Sequence, residues 1–316
     1  MSSSPSPDTG PRDVLISMNP IAGARSPRLE VDRLSTLLEV EDFQPQVLTD
    51  LAQVGQLANQ YHKQGSLRAV VAVGGDGTVA EIVNRTAPGV PITILPTGNE
   101  NLLARYLHLA RSPEALAETI THGRLVRLDA GRAGERWFLL MISCGFDAEV
   151  VRRFQLSRKG HVGYRSYVLP ILRTVAHYDY PRMVIYCSES SDPQAAAERQ
   201  IEAPWLFAFN LPCYGGGLRF TPQASAEDGL LDVCTFDRGS LYHGLRYVTA
   251  IIRQRHERLK DCQIFRSAKL RIEAEGKVPY QLDGDFAGYL PVEVEVVPER
   301  LAFLVPRECD IGLANA

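Results

Sequence analysis

The chain has 316 residues, 45% hydrophobic and 22% charged, with ample length for a core in one large or two ordinary domains, and these globular proportions exclude extensive disorder. A formal net charge of −3 gives no reason to expect nucleic acid as a partner, and no segment approaches the roughly 20 apolar residues that span a bilayer. Six scattered cysteines without a C-x-x-C pair point to reduced, structural thiols in a cytoplasmic protein and away from a zinc site.

Residues 1–12 are polar and rich in Pro and Ser, lack the apolar stretch of a signal peptide, and are expected to form a flexible tail. Val14–Met18 reads as a short buried strand, and Leu29, Leu34, Leu37 and Leu38 give residues 28–40 a helical spacing. Phe43–Leu48 is a second strand; Thr49 or Asp50 then caps a helix over 51–63 that Gly65 closes. Ala69–Val73 is a third strand leading to a helix from Thr78, and Pro91–Leu95 is a fourth. Ser112-Pro113 is a good cap and first turn for a helix ending at Gly123. This alternation predicts a parallel sheet with helices on both faces.

From about Arg124 strands dominate: 125–130, 137–143, 183–187, 204–210, 231–236, 268–273 and 292–297, with a last strand at 302–306. Helical stretches at about 147–157 and 162–178 interrupt them, and residues 188–200 read as an exposed loop. The fold class is therefore α/β: an N-terminal parallel-sheet domain over 13–125, to which 300–316 can return, and a second, β-rich domain over 126–299.

The segment V-V-A-V-G-G-D-G-T (70–78) carries the first chemical signal. A glycine turn between a buried strand and a helix lets backbone N–H groups and the positive helix end face a phosphate. It is neither a Walker A nor a G-x-G-x-x-G sequence. Asp76 would repel a phosphate directly, so it either binds Mg²⁺, takes a proton from an attacking hydroxyl, or simply caps the helix. Two more turns follow strands, N-P-I-A-G (19–23) and L-P-T-G-N-E-N (95–101). In an open parallel sheet such strand ends line the ligand crevice, and three small-residue loops converging there fit a nucleotide.

With these motifs on one chain, the sequence resembles the diacylglycerol kinase catalytic domain family, which includes bacterial diacylglycerol and phosphatidylglycerol kinases, sphingosine kinases and ceramide kinases. The segment F-N-L-P-C-Y-G-G-G-L-R-F-T-P-Q-A-S-A-E-D-G-L-L-D-V (209–233), with C-G-F-D-A (144–148) and Q-L-D-G-D (281–285), is similar to its C-terminal landmarks. The resemblance implies an ATP-dependent lipid kinase with its active site in the cleft between a nucleotide-binding domain and a lipid-substrate domain. By position, Asn19, Pro20, Gly23, Thr49, Gly74, Gly75, Asp76, Gly77, Thr78, Glu81 and Asn99 line the ATP site. It also implies that Asp285 is the general base, with Asp76 the second catalytic carboxylate, and that Ser225, Asp228 and Leu230 hold a structural Mg²⁺. Asn99 and Leu102 stand where the family usually has threonine and aspartate, and Asp285 where it has glutamate.

Three alternatives stay open: an NAD kinase-like enzyme, a nucleotide-binding regulatory protein without catalysis, and a biosynthetic protein acting on another long-chain alcohol. The expected acceptor is a lipid at a membrane surface, met by a cytoplasmic, peripheral protein. A basic run over 152–165 could attract an anionic membrane surface but reads rather as a solvated helix face and loop, since apolar anchors are few, and His243 and His256 as surface residues of a helix over about 240–259.

Overall fold

The computed structural model describes residues 10–18, 27–157, 178–188, 199–212, 214, 215, 218 and 220–310. The expected helix over 162–178, except Tyr178, and most of the basic run lie outside the described residues, as do Asn19, Pro20 and Gly23. The chain divides into two compact units, one running to Arg127 and taking in the segment from Leu301, the other Leu128–Arg300.

The first unit begins with β1 (Asp13–Met18), α1 (Arg28–Val40), β2 (Gln44–Leu48), α2 (Leu51–Gln64) and β3 (Leu67–Gly74). It continues with α3 (Asp76–Val83), β4 (Pro91–Pro96), α4 (Leu102–Tyr106) and α5 (Pro113–His122). The strands lie in the order β2-β1-β3-β4 and are all parallel. β3 and β4 are buried almost throughout, as strands covered on both faces must be. Val14, Ile16, Ala69, Val71 and Val73 pack with α1 and α5, while α2 and α3 pack together on the other face. Local chemistry sets the helix ends. Asp50 accepts from Ala52 N at the start of α2, Gly65 closes it with φ 74°, and Ser112 Oγ accepts from Ala115 N to open α5.

The second unit begins within β5 (Arg124–Ala133) and adds β6 (Arg136–Phe138), β7 (Met141–Gly145), α6 (Phe146–Ser157), β8 (Met183–Ser188), β9 (Arg199–Ala203) and β10 (Trp205–Phe209). It continues with β11 (Leu231–Phe236), α7 (Leu241–Ile252), β12 (Cys262–Ser267), β13 (Lys269–Ala274), β14 (Pro279–Leu282), β15 (Asp285–Tyr289) and β16 (Val292–Val305). An antiparallel sheet ordered β12-β11-β10-β7-β14-β15 packs on a layer containing β16, β13, β8 and β9. Alternate residues meet between the layers, among them Ile142, Leu206 and Val233 from one and Ile185, Ile272 and Val294 from the other. On the opposite side of β10, Trp205, Phe207 and Phe209 form an aromatic layer with Phe220, Phe236 and Tyr247, the last from α7.

Several boundaries differ from expectation for identifiable reasons. The single strand expected over 137–143 is split into β6 and β7, because the Asp283 carboxylate takes the backbone N–H groups of Leu139 and Leu140. The strands expected at 292–297 and 302–306 are one, β16, whose last residues pair in parallel with β4. The helix expected to reach residue 259 stops at Ile252, and Gln254 follows with φ 51°. His256 is consequently not a surface residue: it is buried against Phe220 and Phe236, its Nε2 2.7 Å from the Phe220 carbonyl. Of the expected loop, Ser188 ends β8 and Arg199 and Gln200 begin β9; 189–198 lie outside the described residues.

Candidate active site

The glycine turn after β3 is packed too tightly for other residues. A Cβ at Gly74 would strike the Thr78 side chain, and one at Gly98 would sit 2.7 Å from the Gly75 Cα. The turns after β3 and β4 therefore meet backbone to backbone, with Thr97 N donating to Gly74 O at 3.1 Å. Asp76 opens α3, but its carboxylate serves the neighbouring turn. Oδ2 accepts from Leu102 N and Oδ1 from Leu103 N, both at 2.9 Å. The carboxylate thus caps α4, not its own helix, and satisfies two N–H groups that Asn101, at φ 50°, leaves uncapped. Burial pushes the Asp76 carboxyl above the ordinary range; the two N–H donors oppose this and Glu100 adds to it.

Thr49, the 74–78 turn and Asn99 follow parallel strands and so share the carboxyl edge of the sheet, beside the switch point between β1 and β3. Thr49, Gly77 and Asn99 are exposed, whereas Glu81 is paired with Arg85, just past the end of α3. Asn101 donates from Nδ2 to Gly98 O at 2.8 Å, while its Oδ1 is buried next to Gly75 with no hydrogen-bond partner. A hydroxyl or amino donor of a nucleotide fits that acceptor, and the backbone at exposed Gly77 suits the phosphates.

Asp285 is the first residue of β15, behind a two-residue turn in which Asp283 (φ 52°) and Gly284 (φ 90°) both adopt positive φ. Asp-Gly is the pair that such a hairpin favours. Three side chains fasten the hairpin. Asp283 accepts from the backbone N–H groups of Leu139, Leu140 and Met141 at 2.7–3.0 Å. Gln281 Oε1 accepts from Gly284 N at 2.7 Å. Gln155, on α6, donates to Asp285 Oδ1 at 2.6 Å and accepts from Phe286 N at 3.2 Å. Asp285 itself is exposed, so its carboxylate is accessible from solvent.

Behind this hairpin lies a cluster with no assigned part in the motif reading. Asp147 Oδ2 accepts from Ser143 Oγ at 2.6 Å, Tyr214 Oη at 3.0 Å and Gln281 Nε2 at 3.3 Å. Burial drives the Asp147 carboxyl upward against these three donors. Gln281 thus joins Asp147 to the Asp285 turn. Asp147 lies in the quoted C-G-F-D-A stretch, but Gln155 gives no sequence signal, since only the placement of α6 brings it to β15.

Ser225, Asp228 and Leu230 lie on the loop before β11. Ser225 Oγ accepts from Glu227 N at 3.3 Å, and Asp228 Oδ1 from Leu230 N at 3.1 Å. Buried Asp129, another residue without a sequence assignment, holds this loop through Gly229 N at 2.7 Å and binds Glu299 N with its other oxygen. Asp228 and Asp232 both face Arg266, at 3.7 and 3.5 Å, and Asp232 Oδ2 is buried with no hydrogen-bond partner. Burial raises the Asp232 carboxyl, Arg266 opposes this, and Asp228 adds to it. Asp228 and Asp232 thus bring two carboxylates to one arginine, hard oxygen donors of the kind that Mg²⁺ takes.

An α/β unit with glycine turns joined to a β-sandwich is the architecture of two kinds of solved kinase. A diacylglycerol kinase structure from Bacillus anthracis superposes with a TM-score of 0.68 at 21% identity, covering 93% of this chain and 96% of that one. An NAD kinase from Archaeoglobus fulgidus in complex with ATP superposes at 0.52 with 14% identity, covering 93% of both. The family description "diacylglycerol kinase catalytic domain" matches residues 13–133, and "YegS C-terminal NAD kinase beta sandwich-like domain" matches 140–305. A diacylglycerol kinase of Mycobacterium tuberculosis is 32% identical over 249 residues, 76% of this chain and 77% of that protein. The chain belongs to the diacylglycerol kinase family.

Proposed function

We propose that the protein is an ATP-dependent lipid kinase that phosphorylates the hydroxyl of diacylglycerol or a related long-chain alcohol. One observation carries this reading: similarity to the mycobacterial diacylglycerol kinase over three quarters of each chain. The exposed, fastened carboxylate of Asp285 supports it chemically. The backbone of the 74–78 turn and the start of α3 bind and orient the nucleotide phosphates, with Thr49, Asn99 and Asn101 beside them. Asp285 accepts the proton of the acceptor hydroxyl as its oxygen bonds to the γ-phosphorus and the bond to the β,γ-bridging oxygen breaks. Gln155 holds Asp285 in the orientation this needs. Positioning and charge neutralisation account for most of the catalysis of phosphoryl transfer. Ser225, Asp228 and the Leu230 carbonyl would hold Mg²⁺, with Asp232 alongside; bound there, the ion supplies positive charge that rigidifies the loop. At the membrane the enzyme is peripheral, taking its acceptor from the lipid surface.

The test is transfer of radiolabelled phosphate from ATP to a panel of diacylglycerol, phosphatidylglycerol, sphingosine, ceramide and NAD. Labelled lipid is the expected product. Label on NAD alone would establish the NAD kinase-like alternative, and ATP binding without any labelled product the regulatory one.

A further inference from the structure

Helix α7 has a well-built inner face and an uncovered outer one. Gly244, Tyr247 and Ile251 are buried, and Tyr247 stacks on Phe236 with centroids 4.3 Å apart. Leu241, Tyr242, Leu245 and Ile252 are instead 51, 71, 49 and 63% exposed, the densest group of exposed large apolar side chains among the described residues. At 100° per residue these four fall within an arc of about 100°, so they form one stripe along the helix. Arg246 and Arg253 lie along the Tyr242 edge of the stripe, and Arg238 and Arg255 stand at its ends. Residues 237–261 hold six Lys and Arg against three Asp and Glu, in a chain whose net charge is −3. One of those acids, Asp261, is taken up by Arg246 at 2.8 Å.

We propose that α7 lays this stripe into the surface of an anionic lipid bilayer, its arginines meeting the headgroups. A short amphipathic helix with an exposed apolar face and basic flanks is suited to lie in the plane of that interface, where tyrosine is also favoured. The charge identifies the occupant. A second copy seated on the same patch by a two-fold axis would bring arginine against arginine, whereas an anionic leaflet complements every cation on the rim. The proposal deepens the lipid-kinase reading by naming the face that meets an insoluble acceptor. Vesicle binding is read without ATP, so either idea can fail while the other stands.

The experiment mixes the full chain with vesicles of phosphatidylcholine alone or with about one third phosphatidylglycerol, and measures the pelleted fraction. The wild type is expected to pellet with the anionic vesicles and to lose about tenfold in partitioning when salt rises from about 0.1 to about 0.5 M. Leu245→Ser with Ile252→Ser should abolish binding to the anionic vesicles. Arg253→Glu with Arg255→Glu should abolish the preference for anionic vesicles, and this pair carries the test if the serine pair fails to fold. Wild type that stays in the supernatant, or variants that pellet like wild type, would overturn the proposal. So would a dimer in sedimentation equilibrium that the serine pair dissociates without any vesicle binding, which would give the stripe to a second copy.

Discussion

On the proposed mechanism, Asp285 is the base and its neighbours are its support. Asp285→Ala should abolish phosphate transfer while ATP affinity, measured by calorimetry, barely changes, because the carboxylate addresses the acceptor hydroxyl. Retained turnover in that variant would place the base elsewhere, with Asp76 next in line. Gln155→Ala leaves the carboxylate present but without its hydrogen bond from the amide, so kcat should fall by about tenfold or more with ATP affinity preserved. Asp147 makes a different prediction, one about pH. Burial raises its carboxyl above the unfolded value, so the folded chain favours the protonated form. Its contribution to stability is then complete below the unfolded value and is lost as pH rises through the folded one. Asp147→Asn keeps an acceptor for Ser143, Tyr214 and Gln281 but cannot ionise. Its melting temperature should therefore fall less than that of wild type between about pH 4 and about pH 8. Equal slopes in the two proteins would show that Asp147 does not titrate there. Asp76, raised by burial as well, leaves part of the slope in both.

At the scale of elements, the two turns of the parallel sheet are one construction. Asp76 begins α3 and caps α4, while Gly74, Gly75 and Gly98 let the backbones touch. An asparagine at position 76 offers one acceptor and turns an amino group towards a backbone N–H. Asp76→Asn should therefore cost about 1–3 kcal/mol in urea unfolding, as well as activity. Should activity be lost under conditions where the variant is fully folded, the charge has a chemical role beyond the cap. The β14–β15 hairpin is the counterpart in the second unit. Asp283→Ala removes the acceptor of three backbone donors and should cost at least about 3 kcal/mol, far more than Asp285→Ala at its exposed position. Comparable losses for the two variants would mean that the carboxylate of Asp283 does not organise the hairpin.

For the molecule as a whole, two compact units share a chain that crosses between them along β5 and again along β16. The loop at 225–230 is tied into the second unit through Asp129, which also holds Glu299 on β16. A cation bound there stabilises the folded state by mass action. Adding about 5 mM Mg²⁺ to the chelated protein should raise the melting temperature by a few degrees, and Asp228→Ala should remove most of that gain. Identical melting with and without chelator in the wild type would eliminate the structural cation. Among the described residues no helix is long and apolar enough to cross a membrane.

The sequence by itself determined the alternating order of the first unit, its helix caps and the glycine turns, because these depend on neighbours a few residues apart. Asp50, Gly65 and Ser112 act locally and could be read as such. The landmarks around 209–233 and 281–285 likewise identified the family, since short motifs survive in linear form. Tertiary structure decided where the carboxylates point. Asp76 finds its partners 26 and 27 residues along the chain, and Asp283 finds Leu139 at a separation of 144. The burial of His256 and the reach of Gln155 to Asp285, 130 residues away, were decided in the same way. A hydrogen bond acts over about 3 Å, and only the packing of sheets and helices brings such distant residues within that range.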